Sequence, residues 1–337
     1  MKIAILTHPL GANYGGILQA YAFSTYLTSQ GHDVVVLNRQ SELPWLKSKV
    51  RDLLISLHHP RYNNPRFKNL KEFVKKYINY SKPLPSTSSL TKFLRDNEID
   101  SVIVGSDQVW RKDFAMGYGF NYFLDFVPDD LLKISYAASF GLSEWQYSEE
   151  QTTVIKKLLS SFVGVSVREF EGQSLCAKNL GILPTHVLDP TLLLDSSLYE
   201  KIASRPLSDE PYIFVYWLGL ETEKQKAIQT SCPSDFKIID LSLRGADSLV
   251  SIEDWLSYIL HAEKVITDSF HGSVFSILFK KQFIVSENKS GGNGRLNSLF
   301  QMLNIDPSRK EIDYSSVYKI LQSHRQTSYN YLNDVLK

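Results

Sequence analysis

Short apolar runs alternate along this chain with longer stretches in which apolar residues recur every three or four positions. The first run, Lys2 to Thr7, reads as a buried strand. A loop, LGANYGG, follows it, then a helical pattern from Ile17 to Ser29 that stops at Gly31, then a second strand at Asp33 to Asn38, DVVVLN. Strand, helix and strand in this order form a βαβ unit, which implies parallel strands and a right-handed crossover. The pattern resumes at SVIVGS (101–106), KISYAASF (133–140) and GVSVRE (164–169), and Glu149 to Ser161 supplies a helical stretch between the last two. One parallel sheet accounts for all of these.

A second alternating series begins after LDPTLLLD (188–195). It comprises PYIFVYWLG, FKIIDLSL, a helix around Ile252 to Ala262, KVITD, a helix, QFIVS and a further helix from Arg295. The expected fold is therefore α/β, with two doubly wound Rossmann-like domains facing a cleft. The first spans residues 1–195 and carries an insertion at about 43–83. The second spans 196–313, and a final helix over 314–337 is expected to pack across the interface. Open α/β sheets bind ligands beyond the carboxyl ends of their strands, so the loops after strands are where chemistry is sought.

Charge changes this picture in one place. The formal net charge of the 337 residues is +1, which points to neither a nucleic-acid coat nor an acidic disordered chain. Between Leu43 and Pro83, however, ten Lys/Arg stand against Asp52 and Glu72. Leu46, Val50, Leu53, Leu54 and Leu57 fall on one helical face there, Lys47, Lys49 and Arg51 fall elsewhere, and Trp45 stands at the start. A helical pair with a solvated basic face fits this segment; so does a surface for an anionic membrane or a lipid pyrophosphate. The two cysteines, Cys176 and Cys232, lack metal-site or disulfide-framework spacing and fit a reducing cytoplasm. No stretch is long and apolar enough to span a bilayer, and MKIAILTHPLG does not read as a signal peptide. The expectation is a cytoplasmic protein, attached at most peripherally to the inner face of the membrane.

The polar pentad Asp268-Ser-Phe-His-Gly272 interrupts the apolar run KVITDSFHGSVFSILFKKQFIV. It reads as a strand-to-helix turn with Asp268 or Ser269 capping. Free N–H groups and the helix dipole make such a turn an anion site, where Gly272 lets a ligand approach and His271 serves as hydrogen-bond donor or acid. Arg295, after the loop SENKSGGNGR, can reach the same anion. In the first domain Arg168 ends a strand and is a candidate for a bidentate contact, although Glu169 beside it offers a neutralising partner. VIVGSDQVW ends another strand with Asp107, Gln108 and Trp110, a carboxylate, an amide and an aromatic ring of the kind that hold sugars, with Asp107 also able to take a proton from a sugar hydroxyl. Asn13 and Tyr14 read as ligand-facing residues on a tight glycine turn. LGANYGG is not G-x-G-x-x-G, and Asn38-Arg39 stands where a ribose-binding acid is wanted, which argues against a nicotinamide role. No pattern requires a metal or a cofactor.

In order, NYGGILQAYAF, VIVGSDQVW, YAASFG, SVREFEG, VLDPTLL and TDSFHGSVFSILFKKQFIV resemble the polysaccharide pyruvyl transferase family from about Lys2 to Leu303; the basic insertion lies outside that signature. The resemblance implies an architecture similar to the B-type glycosyltransferase fold. It also implies transfer of the enolpyruvyl carbons of phosphoenolpyruvate, a co-substrate, onto sugar hydroxyls as a ketal, with release of phosphate. The acceptor expected is a hexose such as galactose in a capsular or exopolysaccharide repeat unit, which the basic insertion suggests is lipid-linked. By resemblance His271 and Arg168 bind phosphoenolpyruvate, and Arg295 matches an arginine that follows the glycine-rich loop. With Ser269 and Gly272 these form the expected donor site; Asn13, Tyr14, Asp107, Gln108 and Trp110 form the expected acceptor site. The catalytic assignments are His271, Asp107 and Arg168. A nucleotide-sugar glycosyltransferase, with Glu287 near the sugar, and a non-catalytic sugar-lipid binder are the competing expectations.

Overall fold

The computed structural model describes residues 1–11, 13–40, 67–232, 236–241, 249–286, 293–307, 309 and 311–337. The chain divides into two compact units, Met1–Leu193 with Thr327–Lys337, and Leu194–Gln326. In chain order the first holds β1 (Lys2–Leu6), α1 (Tyr14–Ser29), β2 (Asp33–Leu37), α2 (Lys68–Tyr77), α3 (Thr87–Asp96), β3 (Ser101–Gly105), α4 (Lys112–Ala115), β4 (Leu132–Tyr136), α5 (Glu149–Leu159), β5 (Ser166–Val167), α6 (Phe170–Leu180) and β6 (Thr185–His186). The second holds α7 (Ser196–Glu200), β7 (Tyr212–Tyr216), α8 (Glu221–Ser231), β8 (Lys237–Asp240), α9 (Ile252–His261), β9 (Lys264–Thr267), α10 (Phe270–Leu278), β10 (Gln282–Val285) and α11 (Asn293–Leu303). The last helix, α12 (Tyr314–Val335), starts in the second unit and finishes in the first.

Both main sheets are wholly parallel, in the orders β2-β1-β3-β4 and β10-β9-β7-β8, as βαβ connections require. β1, β3 and β7 lie at or near the middle of their sheets and are almost entirely buried, which is why they read as unbroken apolar runs rather than alternating ones. The expected strand over 133–140 ends at Tyr136 instead, and GVSVRE contributes only two strand residues, paired with β6. Ala137 adopts φ 51, which turns the chain out of the extended conformation.

Capping sets the helix boundaries. α1 begins three residues earlier than apolar spacing suggests, because Asn13 takes the N-cap position and accepts from the Gly15 N–H at 3.0 Å. Ser86 and Ser148 close capping boxes at α3 and α5. Of the basic insertion, α2 buries Leu70, Phe73 and Val74 and leaves Lys68, Lys75 and Lys76 exposed; Trp45 to Leu57, with Lys47, Lys49 and Arg51, lie outside the described residues. Among the described residues no helix is long and apolar enough to cross a membrane.

Candidate functional site

In the first unit, strands β1 and β3 are neighbours, and their carboxyl ends open into a pocket of about 600 Å³. Asn13, Asp107 and Gln108 line it together, joined by His8, Asp113 and Phe114. The β3 end is shaped by Gly105, whose φ of +126° suits glycine alone and where a Cβ would meet the Tyr136 carbonyl oxygen at 2.0 Å. The chain then places Asp107 at φ 69, with its carboxylate accepting from the Gln108 N–H at 2.8 Å. The same carboxylate sits beside Gly16, in the first turn of α1, where the helix dipole favours negative charge.

Two expected acceptor residues stand elsewhere. Trp110 is fully buried, its indole N–H donates to the Tyr122 carbonyl at 2.9 Å, and its ring stacks on Phe123. Tyr14 is likewise packed in the core, at 2% exposure. Both are corrected from ligand contact to packing: a large ring on a helix or loop that faces the sheet buries far more apolar area inward than it could at a pocket rim. Among the aromatics that do line the pocket are Tyr118 and Phe114; Phe114 is 43% exposed, with the Arg111 guanidinium 4.8 Å from its ring centroid. His8 supports the same wall. Its ring lies edge-on to Phe114 and Tyr122, and Nδ1 is 3.2 Å from the Tyr122 hydroxyl. Residue type alone gave no signal for either, although both follow strand ends.

Arg168 is 3% exposed and ion-pairs with Asp189 at 2.7 Å. Burial opposes its charge, but Asp189, Glu169 and Asp107 outweigh that and hold its pKa above the ordinary value. Glu169 is 3.9 Å from the Arg168 Nε and spends its other oxygen on the turn after β4, accepting from the Ser139 hydroxyl at 2.6 Å and the Phe140 N–H at 3.0 Å. Asp189 also accepts from the Thr191 N–H at 3.0 Å and hydroxyl at 2.6 Å. Three stretches singled out from the sequence, YAASFG, SVREFEG and VLDPTLL, are thus one buried hydrogen-bonded network.

In the second unit, Ser269 rather than Asp268 caps α10, accepting from the Gly272 N–H at 3.3 Å. Asp268 reaches sideways to the loop after β7, where its two oxygens accept from the Leu218 and Gly219 N–H groups, each at 2.7 Å. Burial pushes its carboxyl pKa up, against the lowering effect of those bonds. Gly272 also has a packing reason: a Cβ there would meet the Thr267 hydroxyl, so glycine lets α10 start tight against β9. His271 is 7% exposed and edge-on to Phe270. The Arg295 guanidinium lies 5.9 Å from the Phe270 ring centroid, which brings it to the same turn. Glu287 lies outside the described residues. Among the described residues no cluster of His, Cys, Asp or Glu could hold a metal.

The family model for polysaccharide pyruvyl transferase matches residues 13–290. The chain belongs to that family. As a polysaccharide pyruvyl transferase family member it is an α/β protein of two Rossmann-like domains, and its fold is also that of two sugar-nucleotide enzymes. A protein described as a UDP-N-acetylglucosamine 2-epimerase from Listeria monocytogenes shares 9% identity, with 97% of this chain and 90% of that one covered, at a TM-score of 0.54. The UDP-N-acetylglucosamine 2-epimerase from Rickettsia bellii shares 11% identity over 100% and 96%, at 0.51. At such identities the likeness concerns the B-type glycosyltransferase fold alone. Among curated proteins none matches the chain.

Proposed function

We propose that this pyruvyl transferase family member moves the enolpyruvyl group of phosphoenolpyruvate onto a sugar, forming a pyruvate ketal and releasing phosphate. The observation that carries the reading is the turn at Ser269–Gly272, where the start of α10, His271 and the Arg295 guanidinium meet. The positive end of a helix dipole and a guanidinium are what a phosphate or carboxylate is drawn to. The pocket lined by Asn13, Asp107 and Gln108 supports the other half of the reading, since amide and carboxylate groups there match sugar hydroxyls.

In this mechanism the turn and Arg295 hold the phosphoenolpyruvate anions. His271 gives a proton to the methylene carbon, which becomes a methyl group and leaves the central carbon electrophilic. One sugar hydroxyl, oriented by Asn13 and Gln108, adds to that carbon as Asp107 takes its proton. The bond from the central carbon to the phosphate oxygen then breaks, phosphate departs, and a neighbouring hydroxyl of the same sugar adds and loses its proton to close the ketal. Stabilising the developing charge supplies most of the acceleration, and positioning the rest. Arg168 contributes its field from within the buried network. A hexose such as galactose, borne on a lipid-linked capsular or exopolysaccharide repeat unit at the inner membrane face, is the acceptor this reading favours.

The test is incubation with phosphoenolpyruvate and a panel of galactosides, glucosides and mannosides, read by mass spectrometry and phosphate release. A pyruvylated product with one sugar, lost in His271→Ala, is expected. Consumption of nucleotide sugars with no phosphate released from phosphoenolpyruvate would overturn the reading.

A further inference from the structure

A second pocket, of about 970 Å³, adjoins the one that holds Asp107: Pro9, Leu10, Gly11 and Tyr118 line both. Their common wall is braced by Tyr80, whose hydroxyl accepts from the Leu10 N–H at 3.2 Å and donates to the Asn38 side-chain oxygen at 2.9 Å. The far side of the second pocket is α2 and the residue that follows it: Val74 and Ile78 form an apolar floor, and Lys71 and Lys75 supply two cations.

The four lysines of α2 divide cleanly. Lys68 ion-pairs with Glu72 at 3.9 Å, and the Lys76 ammonium lies 4.7 Å from the Tyr77 ring centroid. Lys71 and Lys75, one helical turn apart on one face, are the two that line the pocket, and among the described residues neither has an acidic partner. Two cations held at the wall of a partly apolar pocket, with the Asn38, Gln40 and Asn79 amides around it, make a receptor for an anion rather than for a neutral sugar.

We infer that the second pocket binds an anionic group carried by the acceptor beside the sugar that is modified, with Lys71 and Lys75 as its ligands. A phosphate at the reducing end of that sugar and the carboxylate of a neighbouring uronic acid share this chemistry. The inference rests on the acceptor reading of the first pocket, and is independent of the donor.

Binding to the intact protein is measured by calorimetry at low salt, without phosphoenolpyruvate, for three probes built on one hexose: the methyl glycoside, the glycosyl phosphate and a disaccharide whose second residue is a uronate. At least one anionic probe is expected to bind about tenfold tighter than the methyl glycoside, the size that two partly exposed charge pairs supply. Which probe gains identifies the source of the anion. In Lys71→Gln/Lys75→Gln the gain is expected to vanish, with methyl glycoside binding and melting temperature unchanged. Equal affinity for all three probes, no binding of any, or a double variant that weakens all three alike overturns the inference. A preference for anionic probes in a protein that releases no phosphate from phosphoenolpyruvate leaves the anion pocket standing and removes the transferase reading; transfer to neutral and anionic acceptors alike does the reverse.

Discussion

Arg168 in the first unit and Arg295 in the second were both expected to meet phosphoenolpyruvate, yet the protein holds them in opposite ways. Arg168 is buried, bonded to Asp189 and set in the field of Glu169 and Asp107. Arg295 is half-buried and lies against an aromatic ring, which attracts a cation without neutralising it. A guanidinium surrounded by carboxylates organises the structure and acts through its field. In the proposed reaction the one placed against a ring is the one that meets the ligand. The same residue type after a strand or loop is thus set in two different surroundings, and only long-range partners tell them apart.

The sharpest way to break this comparison is to remove each arginine in turn. Arg168→Ala strands the buried Asp189 carboxylate and is expected to cost about 3–5 kcal/mol in urea unfolding. Arg295→Ala is expected to change stability by about 0.5 kcal/mol or less while lowering phosphate release by more than about tenfold. Equal stability losses would erase the distinction. A second contrast sets Trp110 against Phe114. Trp110→Ala is expected to cost about 3–5 kcal/mol from a core cavity. Phe114→Ala should leave unfolding nearly untouched and raise the acceptor KM several-fold, with Phe114→Tyr restoring it. Next comes Gly272→Ala, expected to lose about 1–3 kcal/mol, because the added methyl presses on Thr267 rather than on a ligand. Normal stability with weakened phosphoenolpyruvate binding would return Gly272 to the role of admitting the ligand.

The smallest effect concerns pH. Asp313 accepts from the Ser315 N–H and from the Ser315 and Ser316 hydroxyls at the start of α12, and those bonds lower its pKa from 3.8 to about 2. A depressed carboxylate pKa stabilises the fold above the unfolded value and loses that contribution as pH falls through the folded one. The melting temperature should therefore drop between about pH 4 and pH 2, by less in Asp313→Ala than in the parent protein. An identical acid limb in the two would show that the cap contributes nothing.

What was legible in the sequence was local. β1, α1, β2 and the turn at Ser269–Gly272 follow from apolar spacing and caps within a dozen residues. The gathering of Asn13, Asp107 and Gln108 was legible too, because topology brings the ends of adjacent strands together. Trp110 was misplaced because a polar neighbourhood in sequence does not reveal which way a ring points. β5 and β6 are two residues each, too short for any periodicity, and the Arg168–Asp189 bond just beyond them joins residues 21 positions apart. Lys71 and Lys75, the proposed anion ligands, were hidden among ten basic residues, and the fold sets them apart by placing them at the second pocket.

The division of α12 between the units bears on how the chain is completed during synthesis. Tyr331 donates to the Ser135 carbonyl at 2.7 Å, Ser328 receives the Leu188 N–H at 3.0 Å, and Tyr26 stacks on Tyr329 at 5.1 Å. The unit made first is therefore sealed last, by residues that leave the ribosome after the whole second unit has been translated. Residues 1–193 must wait, open along the face that α12 covers, while 194–326 can fold as one uninterrupted segment.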